Sequence, residues 1–349
     1  MSRFPLSIAG LGMISCLGEG AAVNAAAMRC DYDGFQETDF NQPHSAEKQL
    51  GAPIETELRG IGKLNYMSTV AVKEAIKNLP KAYAGLAVIY CVPETTHANF
   101  FNDEGAFRES IATTFKETHL GTLSRASTVF WQQRCGFISA LKKAQELLYQ
   151  QGHEFVLVIT IDSLLNNSAL AEYGGEFNGD NRRLLGEDHS DGFIPGEAAA
   201  AILLSTPAKV ASNVIICGVG EGTESATLDN EDEVLKGNGL TQAIRSAAEQ
   251  AEMEVHDTQY RVSSVSGESY FFKEASLALS KALKQKVPAH PLLHPADSIG
   301  EVGAAVGGAM VVMDYFALTK GYAPGKTSLH LISNDNSQRG AYIMKVTGA

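Results

Sequence analysis

The chain is 349 residues long, with 44% hydrophobic and 19% charged residues, enough apolar sequence to bury a sizeable core and to exclude disordered or fibrous architectures. Lys and Arg number 28 against 40 Asp and Glu, a formal net charge of −12, which opposes binding to phosphate backbones and anionic lipid and removes nucleic acid and membranes from the expected partners. Five cysteines, Cys16, Cys30, Cys91, Cys135 and Cys217, are scattered without C-x-x-C spacing, so a reducing, cytoplasmic location is expected and a structural zinc site is not.

In chain order, residues 6–12 read as a buried strand running into a glycine turn at Gly10 and Gly12. The two glycines fail as a dinucleotide fingerprint, because residues 13–15 hold no third glycine. They also break residues 7–17 as a signal-peptide core, so no secretion signal is expected. The polar stretches 31–58 and 177–190 read as loops or short hairpins. Met67, Val70, Ala71 and Ala75 form a helical stripe within 64–79, and the apolar run 86–91 follows as a strand. Residues 138–148 make an amphipathic helix feeding a strand over 155–161, and a further strand covers 198–204.

After an interruption at Thr206-Pro207-Ala208-Lys209 the order repeats. Residues 214–220 again form a strand with glycines, 240–251 a helix, 262–265 a strand, 302–318 a helix, and 328–332 and 341–346 the closing strands. Asp314 interrupts 302–318 as a membrane-span candidate. Apolar strands alternating with helices predict sheets covered on both faces. The economical architecture is a duplicated α/β chain whose halves are residues 1–207 and 208–349.

Specific strings then agree with one superfamily. Gly10-Leu11-Gly12-Met13-Ile14-Ser15-Cys16-Leu17-Gly18 resembles the opening of β-ketoacyl synthases, and Ser190-Asp191-Gly192-Phe193-Ile194-Pro195-Gly196-Glu197-Ala198 resembles their D-G-F-x-x-G-E-G/A signature. Gly303-Ala304-Ala305 with Gly307-Gly308, and Ser333-Asn334 near the end, resemble two further motifs in the right order. The resemblance implies a thiolase-like duplicated α-β-α layered fold with two pseudo-symmetric halves, the first holding the nucleophile. It places that nucleophile at Cys135, just ahead of a helix whose dipole and free N–H groups favour a thiolate. A cysteine taken alone is more often a small buried apolar residue. Trp131, with Phe130, stands where the resemblance implies a dimer strand, so a homodimer is expected.

The rest of the constellation departs from the family pattern. Ser266 and Gly300 occupy the positions of the two histidines that stabilise the enolate and oxyanion in condensing members, and Pro295 replaces a lysine. The glycine-rich loop after Ser333-Asn334 is replaced by Asp335-Asn336-Ser337-Gln338-Arg339-Gly340. Loss of one oxyanion donor costs on the order of 10² to 10³ in rate, so ordinary decarboxylative condensation is not expected. Glu268 and Glu301 are expected to line the same cavity and oppose thiolate formation at Cys135. Asp191 and Glu197 read as parts of a structural turn rather than an acid/base pair.

Further strings, among them 29–38, 59–64, 266–275 and 297–303, resemble a ketosynthase-like subgroup encoded in type VI secretion gene clusters. Two functions follow as expectations. In the first, a non-condensing accessory protein uses a pocket near Cys135, Ser266 and Gly300 for an acyl, pantetheine or peptide group, with a secretion effector or adaptor as partner. In the second, an active 3-oxoacyl-(acyl-carrier-protein) synthase or acyltransferase loads Cys135 from an acyl thioester or carrier protein, with His294, Ser266 or Glu301 as its acid/base set. Neither calls for a cofactor or metal ion.

Overall fold

The structure is a computed structural model that describes the chain except residues 1–2, 43–45, 80–82, 84, 95–112, 115, 119–123, 176–181, 187–188, 231, 288 and 348–349. The apolar runs of the first half become strands β1 (Leu6–Ser15), β5 (Ala87–Val92), β6 (Thr128–Trp131), β7 (Val156–Ser163) and β8 (Glu197–Ser205). Short β2 (Gly18–Glu19) pairs with β1, and β3 (Gln36–Asn41) with β4 (Lys48–Gly51) forms a separate hairpin within the polar stretch 31–58. The second half supplies β9 (Val214–Thr223), β10 (Tyr260–Ser263), β11 (Leu292–Leu293), β12 (Thr327–Ser333) and β13 (Gln338–Val346).

Outward from the centre of the main sheet the first half runs β1-β8-β7-β5-β6 and the second β9-β13-β12-β10-β11. In each half the order is first, last, fourth, second and third strand, which is the signature of one unit used twice. The halves meet through β1 and β9 only at Leu6↔Ile216 and Ser7↔Ile215.

Helices are α1 (Ala21–Arg29), α2 (Gly60–Ala75), α3 (Gly136–Tyr149), α4 (Asn167–Tyr173), α5 (Asn238–Gln250), α6 (Ser269–Ala282), α7 (Ala296–Ile299) and α8 (Val306–Lys320). α3 and α8 touch strands of both halves and lie between them, in an apolar core that includes Phe137, Ile138, Met310 and Val311. α2 covers the outer face of the first half, where Met67, Ala71 and Ala75 pack. α5 and α6 cover that of the second, where Ala243, Ala247 and Ala278 pack. Asp314 inside α8 is fully buried and satisfied by Tyr260, Ser328 and His330, which lock the helix against β10 and β12. No described helix is long and apolar enough to cross a membrane.

The glycine turn expected at Gly10 and Gly12 is instead mid-strand in β1. A Cβ at either would collide with the Ala75 or Ala71 carbonyl of α2, so the glycines let the helix backbone lie directly on the strand. Gly218 and Gly220 do the same for β9 against Ala247 and Ala243 of α5. The repeated glycines thus record duplicated helix-on-strand packing.

Candidate active site

β6 ends at Trp131, and the chain turns through a 3₁₀ segment, Gln133–Cys135, before α3 begins at Gly136. Gln133 takes φ 45°, a left-handed conformation that marks the turn as tightly held. Cys135 therefore stands immediately ahead of α3, as the resemblance implies. Asn334, of the Ser333-Asn334 motif, pins the turn from the other half: its Oδ1 accepts from the Cys135 N–H at 2.9 Å, and its Nδ2 donates to the Gln132 carbonyl at 3.0 Å.

That arrangement engages the N–H nearest the sulfur, the donor a thioester oxyanion would need. The thiol is buried at 5% exposure, and Sγ lies 3.4 Å from the Gln338 carbonyl oxygen and 3.8 Å from that of Ile332. Carbonyl oxygens around sulfur favour S–H and repel a thiolate. Burial pushes the thiol pKa up to about 12, against the opposing pull of Arg339 and Arg134.

Arg134, directly before Cys135, belongs to a network of buried charges. Arg134 donates to the Ser333 carbonyl at 2.8 Å and to Asp335 Oδ1 at 2.9 Å, and its Nε lies 3.4 Å from Glu301. Arg183 grips Glu268 with two bonds, 2.6 and 2.9 Å, and reaches both Asp335 oxygens at 2.9 and 3.0 Å. Burial opposes ionisation of Asp335, but Arg134 and Arg183 outweigh it and hold its carboxyl well below the usual carboxylate range. A second buried pair, Arg339 to Glu274 at 2.6 Å, backs the β12–β13 turn. A void of about 10 Å³, room for about one water, is bordered by Arg134, Glu301, Tyr173 and Gly303, and Cys135 does not line it.

Ser266 and Gly300, which the resemblance puts at two histidine positions, fall beside this cluster. Ser266 Oγ donates to Glu301 Oε2 at 2.7 Å, while Glu301 Oε1 accepts from the Gly303 N–H at 2.8 Å. Gly300 has φ 69°, and a Cβ there would strike the Ile194 carbonyl oxygen, so a side chain at this position is opposed by both conformation and space. Glu268 and Glu301 were expected to raise the Cys135 pKa; instead each is matched by an arginine, and desolvation is the dominant cause.

The remaining candidates lie elsewhere. His294 has Asp297 3.4 Å from its Nδ1 and the edge-on ring of Phe272 beside it, with burial holding its pKa down. Asp191 receives the Ser269 N–H and hydroxyl at 2.6 and 2.7 Å. Glu197 pairs with Lys63 at 2.5 Å and accepts from Ser163 Oγ and the Ile54 N–H. Both acids hold structure, and the fold does not bring them together. Arg134, Arg183 and Arg339 escaped sequence reasoning; the one local signal was a basic residue directly before Cys135.

No family model matches the chain, and no curated protein matches it either. Its likeness is to solved structures. A chain of a type II polyketide synthase complex, described as an acyl-carrier protein with its ketosynthase bound to the hexaketide, superposes with TM-score 0.79 at 14% identity, covering 99% of this chain and 100% of that one. A β-ketoacyl synthase from Burkholderia phymatum gives 0.76 at 13%, over 99% and 100%. A ketosynthase in complex with its chain length factor from Xenorhabdus doucetiae gives 0.70 at 13%, over 98% of each chain. At such identities the likeness fixes architecture, and the chain has the thiolase-like ketosynthase fold.

Proposed function

We propose that this chain is a ketosynthase-fold accessory protein that does not catalyse decarboxylative condensation and works by binding another protein. One observation carries the reading: the Cys135 thiol is buried against the Ile332 and Gln338 carbonyl oxygens, with its own N–H taken by Asn334 and the residue before it, Arg134, held in a buried network with Asp335, Arg183, Glu268 and Glu301. The acyl- or pantetheine-binding form of the proposal needs that thiol to become accessible. Complexes of ketosynthases with a carrier protein or a chain length factor, among structures of similar fold, favour a partner of the same kind: a carrier protein, a second copy of this chain, or a relative. The strings shared with the type VI secretion subgroup point to effector or adaptor handling as the setting. An active synthase using Cys135 is the weaker reading, because its thiol is buried and its nearest N–H is engaged.

Incubation of the purified protein with malonyl thioesters, followed by mass spectrometry of the thioester pool, tests the proposal. No decarboxylation above the buffer rate is expected. Turnover to acetyl or 3-oxoacyl thioester at enzymatic rates would overturn it.

A further inference from the structure

A cavity of about 710 Å³ opens between the β3–β4 hairpin, the start of α2 and residues 163–168 after β7. Its volume lies within the range of binding pockets, and Cys135 does not line it. Its apolar wall is Ile54, Leu64 and Leu165. The Lys63 ammonium at its base is already paired with Glu197 at 2.5 Å.

Five successive residues of β3, Gln36 to Phe40, border this cavity. Side chains alternate across a strand, so one face supplies only every second residue. A run of five means that main-chain atoms of the strand, and not one face of side chains alone, border the cavity. Within the described sheets β3 pairs with β4 alone, with an irregular register between Glu37 and Asn41; Lys48 Nζ holds the Asp39 carbonyl at 3.1 Å and Thr38 Oγ1 the Phe40 N–H at 3.3 Å, while the other edge of the strand has no strand partner. Unpaired edges of this kind accept extended peptides as an added strand.

The rim gives the partner a charge. Glu37, Asp39 and Glu55 are exposed there; of the exposed cations nearby, Arg59 has its guanidinium 3.9 Å from Asp39, and Lys48 of β4 donates to the Asp39 carbonyl at 3.1 Å. Two apolar side chains, Leu58 and Ile61, are 43% and 36% exposed on either side of Arg59 and Gly60.

We propose that this cavity receives an extended basic segment of a partner protein, added along β3 as a third strand of the hairpin sheet. Its Lys or Arg side chains face Glu37, Asp39 and Glu55, and its apolar ones rest on Leu58, Ile61 and the wall of the cavity. The site is separate from Cys135 and does not depend on whether that thiol is ever acylated.

The test is to pan a random octapeptide phage library on the immobilised full-length protein, with the doubly substituted E37K/D39K protein as counter-selection. Enriched peptides are expected to alternate Lys or Arg with β-branched or aromatic residues. The best of them, as a synthetic peptide, is expected to bind the double variant at least about tenfold more weakly and to lose affinity as salt rises. Hydrogen exchange of the amides of residues 36–40 is expected to slow at least about tenfold on binding. The proposal is overturned by absence of enrichment, by enrichment of acidic or uncharged peptides, by equal binding to the folded double variant, or by unchanged exchange over β3.

Discussion

The carboxylate of Asp335 accepts a hydrogen bond at 2.9 Å from the guanidinium of Arg134, the residue directly before Cys135, across 201 residues of chain. This bond ties the turn ahead of α3 to the turn between β12 and β13, and Arg183 closes on the same carboxylate from a third segment. Carboxylates and guanidiniums from three segments of the chain thus meet next to the residue that precedes Cys135.

Replacing Asp335 by Asn removes the carboxylate that two buried guanidiniums share, leaving Arg183 with Glu268 and Arg134 with Glu301. Breaking a buried ion pair from one side costs on the order of 3 kcal/mol, so urea denaturation at pH 7 is expected to show a loss of about that size. The folded Asp335 pKa lies below its ordinary value of 3.8. Its stabilisation is therefore complete above that value and is lost as pH falls toward the folded pKa. The gap between wild type and D335N is expected to narrow below about pH 4, and a gap independent of pH down to acid unfolding would contradict this.

A thiol with pKa about 12 is thiolate in only about one molecule in ten thousand at pH 8. Iodoacetamide at that pH, with peptide mapping, is expected to label exposed Cys30 first and Cys135 only on unfolding. Alkylation of Cys135 ahead of Cys30 would show an accessible, activated sulfur.

Restoring histidine at the two family positions should not restore chemistry. Gly300→His forces a left-handed conformation and a contact with the Ile194 carbonyl, a cost of about 2 kcal/mol. The double variant S266H/G300H is expected to be less stable than wild type in thermal denaturation and still silent toward malonyl thioesters. A stable double variant with decarboxylase activity would mean that the site is intact apart from those two side chains.

Lys63 and Glu197 are 11% and 1% exposed in their side chains. Lys63→Met alone leaves a buried carboxylate unpaired and is expected to cost about 3 kcal/mol, whereas Lys63→Met with Glu197→Leu should recover most of the loss. A double-mutant cycle in denaturant measures the coupling, and additive effects would contradict the pairing.

The architecture was legible because it is written in local pattern. The glycine-bearing strands at residues 6–12 and 214–220 and the alternating strand–helix order reflect the same packing twice, although the glycines proved to seat helices rather than to turn the chain. α1 and α6 were missed by pattern. In α6 the apolar residues Phe271, Ala275, Ala278 and Leu279 form the buried stripe, but the run was read only as a family string. The position of Cys135 was legible from the motifs around it; the state of its sulfur was not. The bonded pairs among Arg134, Arg183, Glu268 and Asp335 are separated by 85 to 201 residues, and nothing local in a sequence says which buried arginine will meet which carboxylate. Missing histidines were visible as Ser266 and Gly300, yet only the structure shows Glu301 and Arg134 occupying the space beside them.

Intact-mass spectrometry after exposure to acyl-coenzyme A and acyl-carrier thioesters, run on wild type and Cys135→Ala, tests the closed site most directly. The unmodified mass is expected for both proteins. An acyl adduct on wild type that disappears in Cys135→Ala would show that the sulfur becomes accessible and that Cys135 is a working nucleophile.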